Sequence, residues 1–146
     1  MSITYQTVPL TPAVRKLILD GLQAYGRQST GYAGDHLEEA PTSFEAWDAK
    51  ERDTKECVGA LVIKPFWGAF HLQLLYVKES HRSFGIASTL MEQALSFARM
   101  RQGAFVFVET LSFQAVEFYT KMGFITEFVR HGYTQGISFH YLKKNL

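Results

Sequence analysis

The stretch LLYVKESHRSFGIASTL, Leu74 to Leu90, changes character twice within a short span. Leu74 to Val77 is apolar and reads as the end of a buried strand. Lys78 to Arg82 is polar. From Gly85 onward apolar residues return at helical spacing, as Ile86, Leu90, Ala94, Phe97 and Ala98. The first backbone N–H groups of a helix have no intrahelical partner, and the macrodipole adds about half a positive charge there. A phosphate settles at such a place when small side chains let the backbone come close. Ser83, Gly85, Ala87 and Ser88 are small, Phe84 and Ile86 lie between them, and Arg82 adds a permanent cation suited to phosphate oxygens. On these residues alone the segment also reads as an ordinary capped connection between strand and helix.

The flanks predict a mixed sheet. Ile3 to Val8 alternates and reads as a short strand. Thr11-Pro12 supplies an N-cap and a first-turn proline, and Val14, Ile18, Leu22 and Tyr25 then form one apolar helix face that stops at Gly26. Gly31 to Ser43, polar and broken by Pro41, reads as loop or irregular helix. Phe44–Lys50, Cys57–Phe66 and Phe70–Val77 form an antiparallel meander through turns at Arg52–Lys55 and Trp67–Ala69. The helix Gly85–Gln102 closes with Arg99, Arg101 and Gly103. Ala104–Val108 is continuously apolar, as in a strand buried on both faces. A second helix, about Phe113–Met122, ends at Gly123-Phe124, and strands near Ile125–Arg130 and Ile137–Leu142 close the chain. The strand–helix–strand unit makes Phe70–Val77 and Ala104–Val108 parallel. The fold class is α/β with a mixed, mostly antiparallel sheet.

Arg82-Ser83-Phe84-Gly85-Ile86-Ala87 resembles motif A of the GNAT superfamily of N-acetyltransferases, which runs arginine or glutamine, two residues, glycine, one residue, then glycine or alanine. Ser112 to Phe124, SFQAVEFYTKMGF, is similar to motif B, with an asparagine, an alanine three later, a tyrosine, then Gly-Phe. The two motifs stand in register with the expected elements, so the resemblance spans nearly the whole chain. It departs at Ser83, where a glycine is common, and at Ser112, where the asparagine stands. Serine at 112 still offers a cap for the second helix.

The resemblance implies the acyl-CoA N-acyltransferase fold, with a splayed central parallel pair and helices on both faces. It implies acetyl-CoA as acyl donor, its pyrophosphate on Arg82 to Ser88 and its pantetheine along the backbone of Leu75, Tyr76 and Val77, with Ser112 and Ala115 contributing from motif B. A free backbone N–H near Leu75 would donate to the thioester carbonyl. Tyr119 matches the motif B tyrosine and is the candidate acid for the leaving thiolate; its alternative is core packing. His71 is the first candidate base, with an ordinary pKa of about 6.5. Strand alternation puts it on the face of Gln73 and Leu75. Glu109, at the end of the neighbouring strand, is the second. Tyr25, Tyr32, His36, Glu38 and Glu39 belong to the segment expected to receive the acceptor, and Phe66-Trp67 either walls the same cleft or covers a sheet edge.

Composition narrows the class. A chain of 146 residues suits one domain, and 47% hydrophobic with 20% charged residues is ordinary for a globular protein. A net charge of +1 argues against a nucleic-acid partner. Cys57 stands alone, which fits the cytoplasm. No leader or membrane span is expected, and the histidine spacing suggests no metal site. The expected partner is a small-molecule or peptide amine, and a homodimer through the closing strands is open. The competing expectation is a catalytically silent domain that binds or senses acyl-CoA.

Overall fold

Three successive runs of strand-forming residues build one half of a six-stranded sheet. In the computed structural model, which describes residues 1–32, 40–49 and 55–146, they are β1 (Thr42–Ala49), β2 (Lys55–Phe66) and β3 (Ala69–Val77). Trp67 and Gly68 both have positive φ (48° and 80°), the backbone a two-residue hairpin needs to join β2 to β3. Helix α2 (Ile86–Met100) follows, then β4 (Phe105–Leu111), α3 (Val116–Lys121), β5 (Ile125–Arg130) and β6 (Phe139–Asn145). The strand order is β1-β2-β3-β4-β6-β5, antiparallel except for the parallel pair β3–β4. The fold class expected from the sequence holds.

The core lies between the sheet and α2. Leu90, Met91, Ala94, Leu95 and Ala98 are buried with Leu61, Ile63, Leu72, Val106, Val108 and Leu142, and Tyr119 and Phe124 join the same cluster. Burial of each large aliphatic side chain contributes about 1.5–3 kcal/mol. The helix stops at Met100, Gln102 takes a left-handed backbone just past it (φ 58°), and Gly103 follows beneath Phe70, whose ring would stand 2.7 Å from any Cβ there. A larger residue would push that buried ring aside.

A β-bulge decides the shape of the sheet's centre. Ile63 pairs with Leu72 but Val62 pairs with Leu74, so Gln73 is an extra residue in β3. The bulge flips the alternation. Leu75 therefore turns to the core side with Leu72, and the expectation that His71, Gln73 and Leu75 share a face fails at Leu75. Bulges also bend their strand. The β3–β4 pairing covers Phe70–Val106 and His71–Phe107 and ends just before the bulge. Beyond it the two strands diverge.

The N-terminal region departs most from its pattern. Residues 1–10 form no strand and are all exposed, because an alternating segment becomes a strand only with a partner edge and none is paired to it here. Helix α1 (Pro12–Thr30) starts as expected, with Thr11 Oγ1 accepting from the Val14 N–H at 3.3 Å. It runs past Gly26 to Gly31, whose left-handed backbone (φ 69°) supplies the true stop. Its apolar face does not reach the core: Leu17 is 72% exposed and Leu22 62%, while Gln23 is its one buried residue. Toward its end Gly26 lies close to the Trp67 indole, and just beyond the helix Tyr32 meets the same ring at 5.3 Å.

Candidate active site

Divergence of β3 from β4 opens a cleft of about 570 Å³. One wall is β3 from Leu72 to Val77, the other Val108, Glu109 and Thr110, and α3 closes it with Ala115, Phe118 and Tyr119. Leu75, Tyr76, Val77, Arg82, Ala87 and Ala115 all line it. Beyond the bulge no ladder joins the facing strands among the described residues, so their backbone groups border an open slot. An extended chain of amides fits such a slot as an added strand does.

The cleft's open end meets the start of α2. Ser83 (φ 67°) and Gly85 (φ 76°) are both left-handed, on either side of Phe84. Alternation of this kind turns successive N–H groups toward one concavity that suits anions. A serine at positive φ costs about 1–2 kcal/mol relative to its ordinary backbone, which makes the conformation informative. No side chain caps α2 among the described residues, leaving the amides of Ile86, Ala87 and Ser88 open to a ligand. Nothing stands within 4 Å of where a Cβ on Gly85 would project. Arg82 is anchored by its Nε, which donates to the Val77 carbonyl at 3.1 Å, with its guanidinium 5.9 Å from the centre of the Tyr76 ring. A diphosphate fits this cradle.

His71 and Glu109 meet where the strands part, Nε2 to Oε2 at 2.6 Å. The imidazole stacks on Phe107 at 4.6 Å, with the planes 5° apart, which fixes its orientation. His71 and Phe107 form the last paired rung of β3–β4, so the ladder itself brings the two groups together. His71 lines neither neighbouring cavity; Glu109 lines two. The second, about 340 Å³, is bounded by Phe66, Trp67, Phe105, Phe107 and Tyr141.

Tyr119 lines the cleft from α3 and is 4% exposed. Burial pushes its phenol up to about 12, so it is a neutral O–H donor at every physiological pH.

Ser112 is placed differently from its expected part as a helix cap. Its Oγ accepts from the Ser138 N–H at 3.1 Å, and its own N–H donates to the Ser138 carbonyl at 2.8 Å. It fastens the end of β4 to the chain entering β6. Helix α3 begins four residues later at Val116 without a side-chain cap, which overturns the expected cap. Gln114 acts nearby, its Oε1 accepting from the Leu111 N–H at 2.9 Å and the Thr110 hydroxyl at 3.2 Å. Of the expected acceptor residues, Tyr25 is exposed and Tyr32 packs on Trp67. His36, Glu38 and Glu39 lie outside the described residues.

A protein-family model described as the acetyltransferase (GNAT) family matches residues 13–124. The chain belongs to the GNAT family. It is an N-acetyltransferase by that membership, and acetyl-CoA is the family's acyl donor. A curated relative, the blasticidin-S acetyltransferase of Streptomyces morookaense, is 36% identical over 92 residues, covering 62% of this chain and 68% of the relative. The crystal structure of an acetyltransferase from Bacillus cereus ATCC 14579 covers 97% of this chain and 98% of its own, with a TM-score of 0.78 at 21% identity. A Bacillus anthracis str. Ames protein assigned as a streptothricin acetyltransferase, solved with acetyl coenzyme A, covers 62% of this chain and 57% of its own, with a TM-score of 0.57 at 21% identity. At these identities the two structures speak for the GNAT fold. Among the described residues no group of three or more His, Cys, Asp or Glu is arranged to hold a metal, and no helix is long and apolar enough to cross a membrane.

Proposed function

We propose that this GNAT enzyme acetylates a primary amine of a small molecule or peptide by direct attack. The observation that carries the reading is the His71–Glu109 pair at the mouth of the split sheet, with Glu109 bordering both the cofactor cleft and a second cavity.

Acetyl-CoA supplies an activated thioester and a thiolate leaving group. Arg82 and the amides from Ser83 to Ser88 hold its diphosphate, and the backbone of Leu75, Tyr76 and Val77 aligns the arm. A lysine-like amine is mostly protonated at pH 7, having a pKa of about 10, and must lose a proton to attack. Glu109 is the group at the junction, so it meets the ammonium and receives the proton. His71 shares that proton through the 2.6 Å contact. This reverses the order expected from sequence, in which His71 came first.

Tyr119 takes the leaving-group side. A phenol at about 12 is a weaker acid than a thiol at about 8.5. It therefore stabilises a thiolate by donating a hydrogen bond more readily than by surrendering its proton, and the thiolate takes up the proton that the nitrogen sheds as the tetrahedral adduct collapses to amide. The relative's name, blasticidin-S acetyltransferase, supports a small-molecule acceptor. The test is release of free thiol from acetyl-CoA across a panel of primary amines, with cofactor affinity measured separately. Turnover on at least one amine supports the reading. Tight binding without turnover on any would replace it with a silent acyl-CoA-binding domain.

A further inference from the structure

The second cavity has a chemistry of its own. Phe66 and Phe107 meet at 5.7 Å and 65°, and Phe105 and Phe107 at 6.0 Å and 56°, so the rings form an angled wall rather than a flat stack. Among the described residues its two charged lining groups are both carboxylates, Glu109 and Glu127. Glu127 is there because of another bulge: Thr126 pairs with Leu142 and Phe128 with Tyr141, leaving Glu127 as the extra residue of β5. A bulge re-aims a side chain that regular alternation would place elsewhere.

The chain itself shows what this wall attracts. The Lys143 ammonium lies 5.4 Å from the centre of the Phe105 ring and 3.9 Å from Glu127 Oε2. The Arg130 guanidinium sits 5.4 Å from the centre of the Tyr141 ring. Aromatic faces attract cations electrostatically, and more strongly where water is thinned out. Two of the wall's rings are already used in this way by the protein's own cations.

We propose that this cavity is the acceptor pocket and that it selects a small organic cation with a flat face, of the amidinium or guanidinium class, whose separate primary amine reaches Glu109. The inference rests on the amine-acetylation reading above and narrows it. The cationic group pairs with Glu127, displacing Lys143, and its flat face lies on the aromatic wall. A volume of about 340 Å³ suits a compact molecule better than a peptide chain.

The experiment compares 4-(aminomethyl)benzamidine, a flat cation carrying a primary amine, with benzylamine, which lacks the second charge. A tripeptide with a free N-terminus is the third substrate. The expected kcat/KM for the amidine is at least tenfold that for benzylamine or the tripeptide, and Glu127→Gln and Phe105→Leu each cut that ratio severalfold. Equal values, or a ratio that both variants leave unmoved, overturn the pocket while the acetylation reading stands. Binding is read apart from turnover by titrating benzamidine, which offers no primary alkylamine, against neutral benzamide. Tighter benzamidine binding that Glu127→Gln weakens supports the pocket even if no amine turns over. Equal weak binding of both overturns it.

Discussion

Two cavities meet at Glu109, and they are built in different ways. The cleft proposed for the cofactor is made of main chain: parted strands, an uncapped helix start and small residues that keep out of the way. The neighbouring pocket is made of side chains, its rings and carboxylates coming from β4, β5, β6, the end of β2 and the turn after it. A backbone site tolerates change in most side chains as long as the chain's path survives. A side-chain site changes its preference with each substitution and leaves the path untouched. A constant donor and a variable acceptor suit that division.

The sharpest way to break the contrast is Glu109→Gln, which removes the charge where the cavities join. Turnover is expected to fall by about 10³, within the range for loss of an acid–base group, with acetyl-CoA affinity unchanged. A matching loss of affinity would show that the two sides are not separate. Gly85→Glu does the reverse, placing a carboxylate in the diphosphate cradle at a φ of 76° that disfavours any side chain. Calorimetry should show acetyl-CoA affinity down by at least 100-fold, with the circular dichroism spectrum retained.

Tyr119→Phe tests the wall between core and cleft. Turnover should drop about tenfold while cofactor affinity holds. The same residue has a stability signature. Its folded pKa of about 12 exceeds the ordinary 10.0, so the folded state holds the proton more tightly. Its contribution is complete below pH 10 and is lost as pH climbs toward 12, a difference of roughly 3 kcal/mol. Urea unfolding at pH 9 and pH 11.5 should show about 2 kcal/mol of this loss in the parent and not in the phenylalanine variant. The smallest effect is expected from Ser83→Gly. Relief of the left-handed serine, less the added freedom of the unfolded chain, should stabilise by about 0.5–1 kcal/mol in the same assay.

The contrast also explains what the sequence made legible. A main-chain site leaves a local mark, since small residues must fall at fixed spacing around a helix start, and Arg82 to Ser88 carries it. The parallel pairing of β3 and β4 was legible through the strand–helix–strand unit they flank, and α2 through its periodicity. The aromatic pocket left no such mark. Phe105, Phe107, Glu127 and Tyr141 belong to strands that become neighbours only through the order β4-β6-β5, and Glu127 depends on a bulge with no glycine to announce it. Gln73 hid in the same way, so the face assigned to Leu75 came out reversed. The apolar stripe of α1 was read correctly as a helix face and its stop was placed too early, at Gly26 rather than Gly31; that the face stays exposed was not legible, because periodicity reports which residues share a surface and not whether a neighbour covers it. Ile3 to Val8 fails for the same reason.

The short β3–β4 ladder has a thermodynamic consequence. Two strands that part after two rungs leave donors and acceptors in mid-sheet that an incoming extended amide chain would complete. Occupancy is then linked to unfolding. At a ligand concentration a hundred times the dissociation constant the folded state gains about 2.7 kcal/mol, which for a chain of this size raises the melting temperature by about 5–10 °C. Heat resistance in this enzyme would thus follow the acetyl-CoA level around it.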